Sequence, residues 1–300
     1  MSAPRAHTPP RAEARLRRLF AAAGVRGRLH ACDVDDTARA VELDGGAAVP
    51  LASTFKLHVA LAVLRAIDAG ELQATATVRV GARRTTGPTG LAAMRDPVRM
   101  SVRDLLYLML AVSDNAACDA LYDRVGAEAV DATVEALGLR ATVVRGCCRD
   151  LARSMVEDTG AADAGELFAR LREPGALDRL AVLDPERTSR STPREMTRLL
   201  GAVWRDEAAS PESCAELRRL MGLQVWPHRL SAGFPDDEVV VSGKTGTLPG
   251  LRIEVGVVET GDGRRTAVAV FTRSASGRLN LPQADAAIGT AARLAVDALA

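Results

Sequence analysis

The chain has 300 residues, of which 47% are hydrophobic and 26% charged, and its net charge is +1 at pH 7. This length suits one large domain, or two closely packed ones, with a real hydrophobic core. The near-neutral charge and the 3% aromatic content argue against nucleic acids and membranes as partners, because those need basic patches or stacking side chains.

Residues 1–18 are rich in Arg and Pro, and the apolar run that follows, 19–23, is too short for a signal peptide. We therefore expect a cytoplasmic protein; secretion is the alternative if this N-terminus is misread. No stretch reaches the ~18 apolar residues of a membrane span. The five scattered cysteines fit a reduced chain, and the four histidines show no metal-ligand spacing, so we expect no metal and no cofactor.

Periodicity predicts a helix over 11–23, then two strands, 28–34 and 38–43. From residue 53 to about 137 the pattern is helical, and the first of these helices is apolar on nearly every side, which is typical of a buried helix. Residues 145–190 show no regular pattern. Further helices are predicted over 192–204 and 213–221.

Three β-rich segments, 239–242, 251–259 and 264–272, precede a C-terminal helix. The order predicts an α+β fold in which the two ends join into one antiparallel sheet flanked by N- and C-terminal helices, with an inserted all-helical domain. We place the sheet domain at 1–52 and 236–300 and the helical domain at 53–235, with an extended loop at about 145–190. The boundary between the two domains is the expected place for a pocket.

Ser53 and Lys56 are three residues apart, so a helix brings the hydroxyl and the amine to one face. A desolvated lysine amine can take the proton of a serine nucleophile. The chain contains two lysines, Lys56 and Lys244, among 39 basic residues. An arginine cannot lose its proton, so a lysine retained in such a chain indicates a role that needs a neutral amine.

Three motifs occur in order: Ser53-x-x-Lys56, Ser113-Asp114-Asn115 and Lys244-Thr245-Gly246. On these motifs the chain resembles the class A β-lactamase-like serine hydrolases of the β-lactamase and penicillin-binding protein superfamily, over nearly its whole length. The resemblance implies that Ser53 forms an acyl-enzyme and that Lys56 takes or relays its proton. Ser113 would pass a proton to the leaving nitrogen.

The other motif residues would bind the substrate. Asn115 is expected to contact the substrate amide, whereas Asp114 orders its own loop. Lys244 and Thr245 would hold a substrate carboxylate, and Gly246 would let the substrate lie close to the strand. The N–H groups of Ser53 and Thr247 would form an oxyanion hole. Arg252 is either a second carboxylate contact or a solvated strand-end charge.

The chain departs from the family where a Glu activates the deacylating water. The corresponding spacing reaches Arg149-Asp150, and no Glu is present there. Asp150, Glu157 or Glu173 could supply a base, or none does. We interpret the neighbouring Cys147-Cys148 pair as packing or loop filler.

The first hypothesis is therefore a serine hydrolase acting on β-lactams or related amides, with antibiotic resistance as its consequence. Its partner would be a small-molecule substrate that carries a carboxylate. A second is an intracellular esterase, amidase or acyltransferase of small-molecule biosynthesis, and a third is a non-catalytic penicillin-binding sensor. The sequence does not identify the substrate or the oligomeric state.

Overall fold

The computed structural model describes Thr8 and residues 10–300; the remaining part of the Arg- and Pro-rich N-terminus, on which the leader prediction depends, lies outside the described residues. The strands are β1 (Arg26–Asp33), β2 (Ala40–Leu43), β3 (Val49–Pro50), β4 (Thr77–Val80), β5 (Val98–Ser101), β6 (Arg190–Ser191), β7 (Val240–Leu248), β8 (Leu251–Glu259) and β9 (Arg265–Arg273). The helices are α1 (Pro10–Ala22), α2 (Lys56–Asp68), α3 (Val102–Ala111), α4 (Asn115–Val125), α5 (Ala127–Ala136), α6 (Cys148–Thr159), α7 (Ala164–Arg170), α8 (Ala176–Arg179), α9 (Pro193–Trp204), α10 (Pro211–Gly222) and α11 (Pro282–Leu299).

The central sheet has five antiparallel strands in the order β2-β1-β9-β8-β7. β1 comes from the start of the chain and pairs with β9 from its end, so the two ends of the chain do join in one sheet. β7 is the last strand in this order, and its outer edge is left for contacts with other parts of the chain. The predicted α+β class is confirmed.

Alternate residues of the strands enter two hydrophobic cores because side chains of a strand point to opposite faces. Val270 packs with Leu16 of α1 and Ile288 of α11 on one face. Phe271 belongs to the core on the other face, together with Leu199 of α9. The sheet is therefore covered on both sides, and β8 is buried along nearly its whole length.

The helical part of the chain is built around α2, whose residues 56–64 are all buried. α3 begins after Ser101, whose side chain accepts a hydrogen bond from the Asp104 N–H. α9 lies within the segment assigned to the helical domain, yet it packs against β1 and β9. The proposed division into two domains stays a prediction.

The prediction of an irregular segment at 145–190 is wrong, because α6, α7 and α8 all lie there. α6 begins at a capping box made by Cys147 and Asp150, and its Leu151 and Met155 pack against the main core. A cysteine is an unusual N-cap residue, so the sequence carries no strong start signal. Every helix in the described part of the chain is too short or too polar to span a lipid bilayer.

Candidate active site

Ser53 lies on a 3-10 helix, Ala52–Phe55, that leads directly into α2. The preceding residue, Ala52, has a φ of 44°, a left-handed conformation that is strained for a residue with a side chain. Ser53 itself is partly exposed, and its hydroxyl makes no hydrogen bond with any residue that the structure describes. The nucleophile predicted from the sequence is thus open to a substrate.

Lys56 is completely buried at the start of α2. Its Nζ donates to the Ser113 carbonyl oxygen at 2.6 Å and to Asn115 Oδ1 at 2.9 Å. Ser113 Oγ lies farther away, at 3.4 Å. Lys56 therefore joins the first motif to the second, 57 residues farther along the chain.

The segment between α3 and α4 presents Ser113 and Asn115 to this lysine. Ser113 has a φ of 60°, so both its carbonyl and its hydroxyl come within reach of Lys56. Asp114 is buried, and it accepts hydrogen bonds from the N–H groups of Ala117 and Leu91. These bonds cap α4 and anchor a neighbouring loop, which agrees with the role expected for Asp114.

Lys244, on β7, donates to Ser113 Oγ at 2.8 Å and to the Thr245 carbonyl at 2.9 Å. Lys56 and Lys244 therefore flank Ser113 from two sides. Burial and the nearby charge of Lys56 hold the pKa of Lys244 well below its usual value, and Glu254 opposes this shift. A substrate carboxylate would also favour the charged form of Lys244.

β7 passes close to the 3-10 helix of Ser53 at Gly246. A Cβ there would lie 3.1 Å from the Leu51 carbonyl oxygen and 3.2 Å from Thr54 Cγ2. Gly246 therefore permits the strand and the helix to approach, a use of glycine that the sequence prediction did not include. The Thr245 N–H donates to Gln224 outside the sheet, so the Thr247 N–H, two residues on, points to the same outer edge.

Arg252 is 4% exposed, so its interpretation as a solvated charge is wrong. Its guanidinium donates to the carbonyl oxygens of Leu248, Leu251 and Leu279. Its Nε also lies 3.6 Å from a carboxylate oxygen of Asp285. Arg252 thus holds the β7–β8 turn against the loop before α11.

Sequence reasoning missed Arg229, which is 3% exposed. It donates to the Gly246 and Ile253 carbonyl oxygens, at 3.0 and 2.8 Å, and to Thr247 Oγ1 at 2.9 Å. Nothing in the sequence separates it from the other arginines, because its partners come from distant strands.

A second missed residue is Glu254, fully buried in β8. It accepts hydrogen bonds from Gln224 Nε2 at 2.5 Å and from the Leu230 N–H at 2.7 Å. Burial raises the pKa of Glu254, which those hydrogen bonds oppose. The sequence signal that could have identified it is a single carboxylate in the otherwise apolar run 253–258.

The three carboxylates considered as deacylating bases are each paired with an arginine. Asp150 accepts from the Cys147 N–H at 2.8 Å and pairs with Arg153. Glu157 and Glu173 are 68% and 60% exposed, and each faces an arginine. None of the three forms a hydrogen bond with Ser53 or Lys56 in the described part of the chain.

Three buried side chains of types that can bind metals lie together, with the donor atoms of Cys118, Asp119 and Cys148 within 4.8 Å of one another. Both Asp119 oxygens already accept hydrogen bonds, one from the Arg149 N–H at 3.2 Å and the other from the Thr85 hydroxyl. Asp119 thus holds the start of α6 and the loop at Thr85 together.

The sheet, the inserted helices and the meeting of the three motifs around Ser113 define a class A β-lactamase-like serine hydrolase fold. The chain belongs to the β-lactamase enzyme family, whose model matches residues 11–299.

Two curated relatives and one solved structure show the range of this similarity. The "Beta-lactamase regulatory protein BlaB" of Streptomyces cacaoi is 37% identical over 88% of this chain and 89% of its own. The "Extended-spectrum beta-lactamase PER-1" of Pseudomonas aeruginosa is 28% identical over 76% of this chain and 68% of its own. The crystal structure of a β-lactamase from Sphaerobacter thermophilus superposes with a TM-score of 0.76, at 26% identity, over 95% of this chain and 96% of that one.

Proposed function

We propose that the protein is a serine hydrolase that β-lactams, or related amides with a carboxylate, acylate at Ser53. The observation that carries this proposal is the hydrogen-bonded row Lys56–Ser113–Lys244, with the partly exposed Ser53 one turn before Lys56. It supplies a proton acceptor, a proton relay and a cation at one place.

Neutral Lys56 takes the proton of Ser53 while Oγ attacks the substrate carbonyl carbon. The N–H groups of Ser53 and Thr247 stabilise the negative oxygen, at ~3 kcal/mol per donor. Ser113 then gives its hydroxyl proton to the leaving nitrogen and is reprotonated through its lysine neighbours. The product is an ester between Ser53 and the substrate acyl group, and the amide bond of the substrate has been broken.

Substrate binding would use the outer edge of β7. Lys244 and Thr245 receive the carboxylate, and Asn115 orients the substrate amide. Arg252 supports the β7–β8 turn from within, so we propose that it contributes to the site through this turn.

The question of how the acyl group would leave Ser53 leads to a second candidate function. Asp150, Glu157 and Glu173 are each paired with an arginine, and in the described part of the chain none of the three is hydrogen-bonded to Ser53 or Lys56, as a base that activates water for Ser53 would be. Slow hydrolysis would leave Ser53 acylated for a long time, as a sensor of β-lactams requires. A relative that carries the name of a regulatory protein fits this candidate.

The test is to incubate the protein with a fluorescent penicillin and a chromogenic cephalosporin, following intact mass and turnover, with Ser53→Ala as the control. A mass increase that Ser53→Ala abolishes supports acylation. Rapid turnover then supports the hydrolase, and a stable adduct supports the sensor. An unlabelled protein would contradict both and leave an esterase or acyltransferase acting on another acyl group.

Lys56→Arg tests the base, because an arginine keeps the positive charge but cannot accept a proton. We expect acylation to slow by about 10²- to 10⁴-fold, the usual contribution of a general base. Thermal unfolding would confirm that the variant folds. An unchanged acylation rate in a folded variant would refute the assignment.

A further inference from the structure

A cavity of about 1,080 Å³ lies at the end of the sheet where the chain leaves β9 for α11. Its walls are the segment 172–178, which leads from α7 into α8, and the loop 274–280 before α11. The two walls touch at Gly277, where an added Cβ would overlap the Leu171 carbonyl oxygen. Small-molecule sites have volumes of about 300–1,000 Å³, so the cavity is large enough to hold an organic ligand.

The β7–β8 turn fixes the base of this cavity. The Ser274 N–H donates to the Gly250 carbonyl oxygen at 2.7 Å. Arg273 donates to the Pro249 carbonyl oxygen at 3.2 Å and to the Leu177 carbonyl oxygen at 3.5 Å. Hydrogen bonds therefore hold the Arg273 guanidinium between the turn and the 172–178 segment.

The charged lining of the cavity is unbalanced. It consists of four arginines and two carboxylates: Arg26, Arg172, Arg273, Arg278, Glu173 and Asp178. Within the described residues, none of these four arginines forms an ion pair. Glu173 instead lies 3.7 Å from Arg179, outside the lining, which leaves Asp178 as the carboxylate that can balance them.

Two of the four arginines are direct neighbours across the sheet. Arg26 of β1 lies opposite Arg273 of β9 in the antiparallel register, so both side chains leave the same face. Like charges in this arrangement destabilise a sheet. Arg273 is also half-buried, and burial lowers the pKa of Arg273, which Asp178 opposes. A multiply charged anion between Arg26 and Arg273 would remove this repulsion.

The shape of the guanidinium group indicates which anion fits. Its planar fork donates paired hydrogen bonds to phosphate and carboxylate oxygens. A single carboxylate brings one negative charge, whereas a phosphate ester or a diphosphate brings about two or three. Four guanidinium groups beside one free carboxylate therefore match a phosphorylated ligand better, and the volume leaves room for its organic part.

We propose that this cavity binds a soluble phosphorylated small molecule, with the phosphate or diphosphate group held by Arg26 and Arg273 and flanked by Arg172 and Arg278. The lining contains no residue of the three motifs. The proposed anion site is therefore separate from Ser53, and it does not depend on the acylation proposed above.

Isothermal titration calorimetry with inorganic pyrophosphate, at constant ionic strength, tests the site. We expect one pyrophosphate per chain in the wild type, and a Kd about tenfold higher in Arg26→Gln and in Arg273→Gln, because each loses a charge-assisted hydrogen bond. Arg103→Gln is the matched control, since Arg103 is exposed on α3 and forms no ion pair with another described residue. It should keep the wild-type Kd.

Arg26→Gln also protects the test against misfolding. Arg26 is exposed, and its side chain makes no hydrogen bond in the part of the chain that the structure describes. Without pyrophosphate, this variant should resist urea at least as well as the wild type, because the repulsion from Arg273 is gone. Pyrophosphate should raise the urea midpoint of the wild type but not of the variant. A variant that is less stable and still gains from pyrophosphate would show a structural role and overturn the proposal.

The other outcomes are equally decisive. Equal affinities in all these proteins, or no heat at millimolar pyrophosphate, would refute the site. Lys244→Met should bind pyrophosphate normally; loss of binding would place the anion in the candidate active site instead. Citrate that binds as tightly as pyrophosphate would overturn the choice of phosphate. Sedimentation with phosphatidic acid vesicles, without affinity for pyrophosphate, would overturn the choice of a soluble ligand. A failure of penicillin to label Ser53 would refute the proposed function and leave this titration unaffected.

Discussion

At the scale of single residues, the positions of the two lysines explain why this Arg-rich chain contains lysine. Both are completely buried, and both donate to Ser113. Burial and the nearby charge of Lys56 lower the pKa of Lys244 and so favour its neutral form, which an arginine cannot adopt. The same reasoning applies to buried histidines, which are easier to test because they affect stability.

His58 lies one turn of α2 from the Ser53 motif and is completely buried, with its Nε2 lacking a partner among the described residues. Burial lowers the pKa of His58 to about 4. The unfolded chain binds a proton below about pH 6.5, whereas the folded chain stays neutral, so stability is lost as the pH falls from about 6.5 to about 4. We expect His58 to cost about 2 kcal/mol of unfolding free energy between pH 7 and pH 5.

Urea unfolding of the wild type and His58→Leu at these two pH values measures this cost. The variant should lose less stability on acidification, and the exposed His228→Ala should behave nearly as the wild type does. Equal losses in the wild type and His58→Leu would contradict the assignment of a neutral, buried His58.

At the scale of elements, the site depends on the close approach of β7 to the 3-10 helix Ala52–Phe55. Ala52, in its left-handed conformation, and Gly246 face each other there, with 3.3 Å between Ala52 Cβ and a Cβ built at Gly246. A helix and a strand from opposite ends of the helical segment can meet this closely because one partner lacks a side chain.

Gly246→Ala should push β7 away from Ser53, because its Cβ meets backbone and packed side chains at 3.1 to 3.3 Å. We expect acylation to slow by about 10²-fold, as small displacements in active sites do. The loss of stability should be about 1–3 kcal/mol, as for other overpacking changes.

Gly81→Ala is the matched control, since a Cβ there meets nothing within 4 Å and the backbone is not left-handed. Acylation kinetics and urea unfolding of both variants separate the two effects. Wild-type kinetics in Gly246→Ala would show that the approach of β7 does not limit the reaction.

At the scale of the whole molecule, Arg229 and Asp285 connect the site to the C-terminal helix. Asp285, in the first turn of α11, accepts from Arg229 Nε at 2.7 Å, and Arg229 holds the carbonyl oxygens of two paired strands. The pair therefore fixes the outer edge of the sheet to the terminal helix that covers it.

Asp285→Ala would leave the Arg229 charge buried without a partner, and also removes the contact to Arg252. Breaking a buried pair in this way costs about 3–5 kcal/mol. Asp297→Ala, on the same helix, breaks an exposed pair with Arg293 and should change stability by less than about 1 kcal/mol. Urea unfolding of the two variants compares them directly, and equal losses would contradict the role given to Arg229.

Much of the fold was predictable because its elements carry local signals. The buried apolar helix after residue 53, the helix over 192–204 and the β-rich segments 251–259 and 264–272 all lie where the sequence placed them. The helices of the 145–190 segment were missed because they are short or begin without a typical cap. Such helices form through packing on the rest of the molecule rather than through their own propensity.

The sequence by itself determined the three motifs, because each is a run of adjacent residues held by one helix start, one turn or one strand. The tertiary structure decided which residues surround them. Ser113 meets Lys244 across 131 positions of the chain, and Arg229 and Glu254 reach the site from segments with no motif of their own. Contacts of this kind follow from how the sheet and helices pack, and burial in that packing, rather than residue type alone, lowers the pKa of the Lys244 amine.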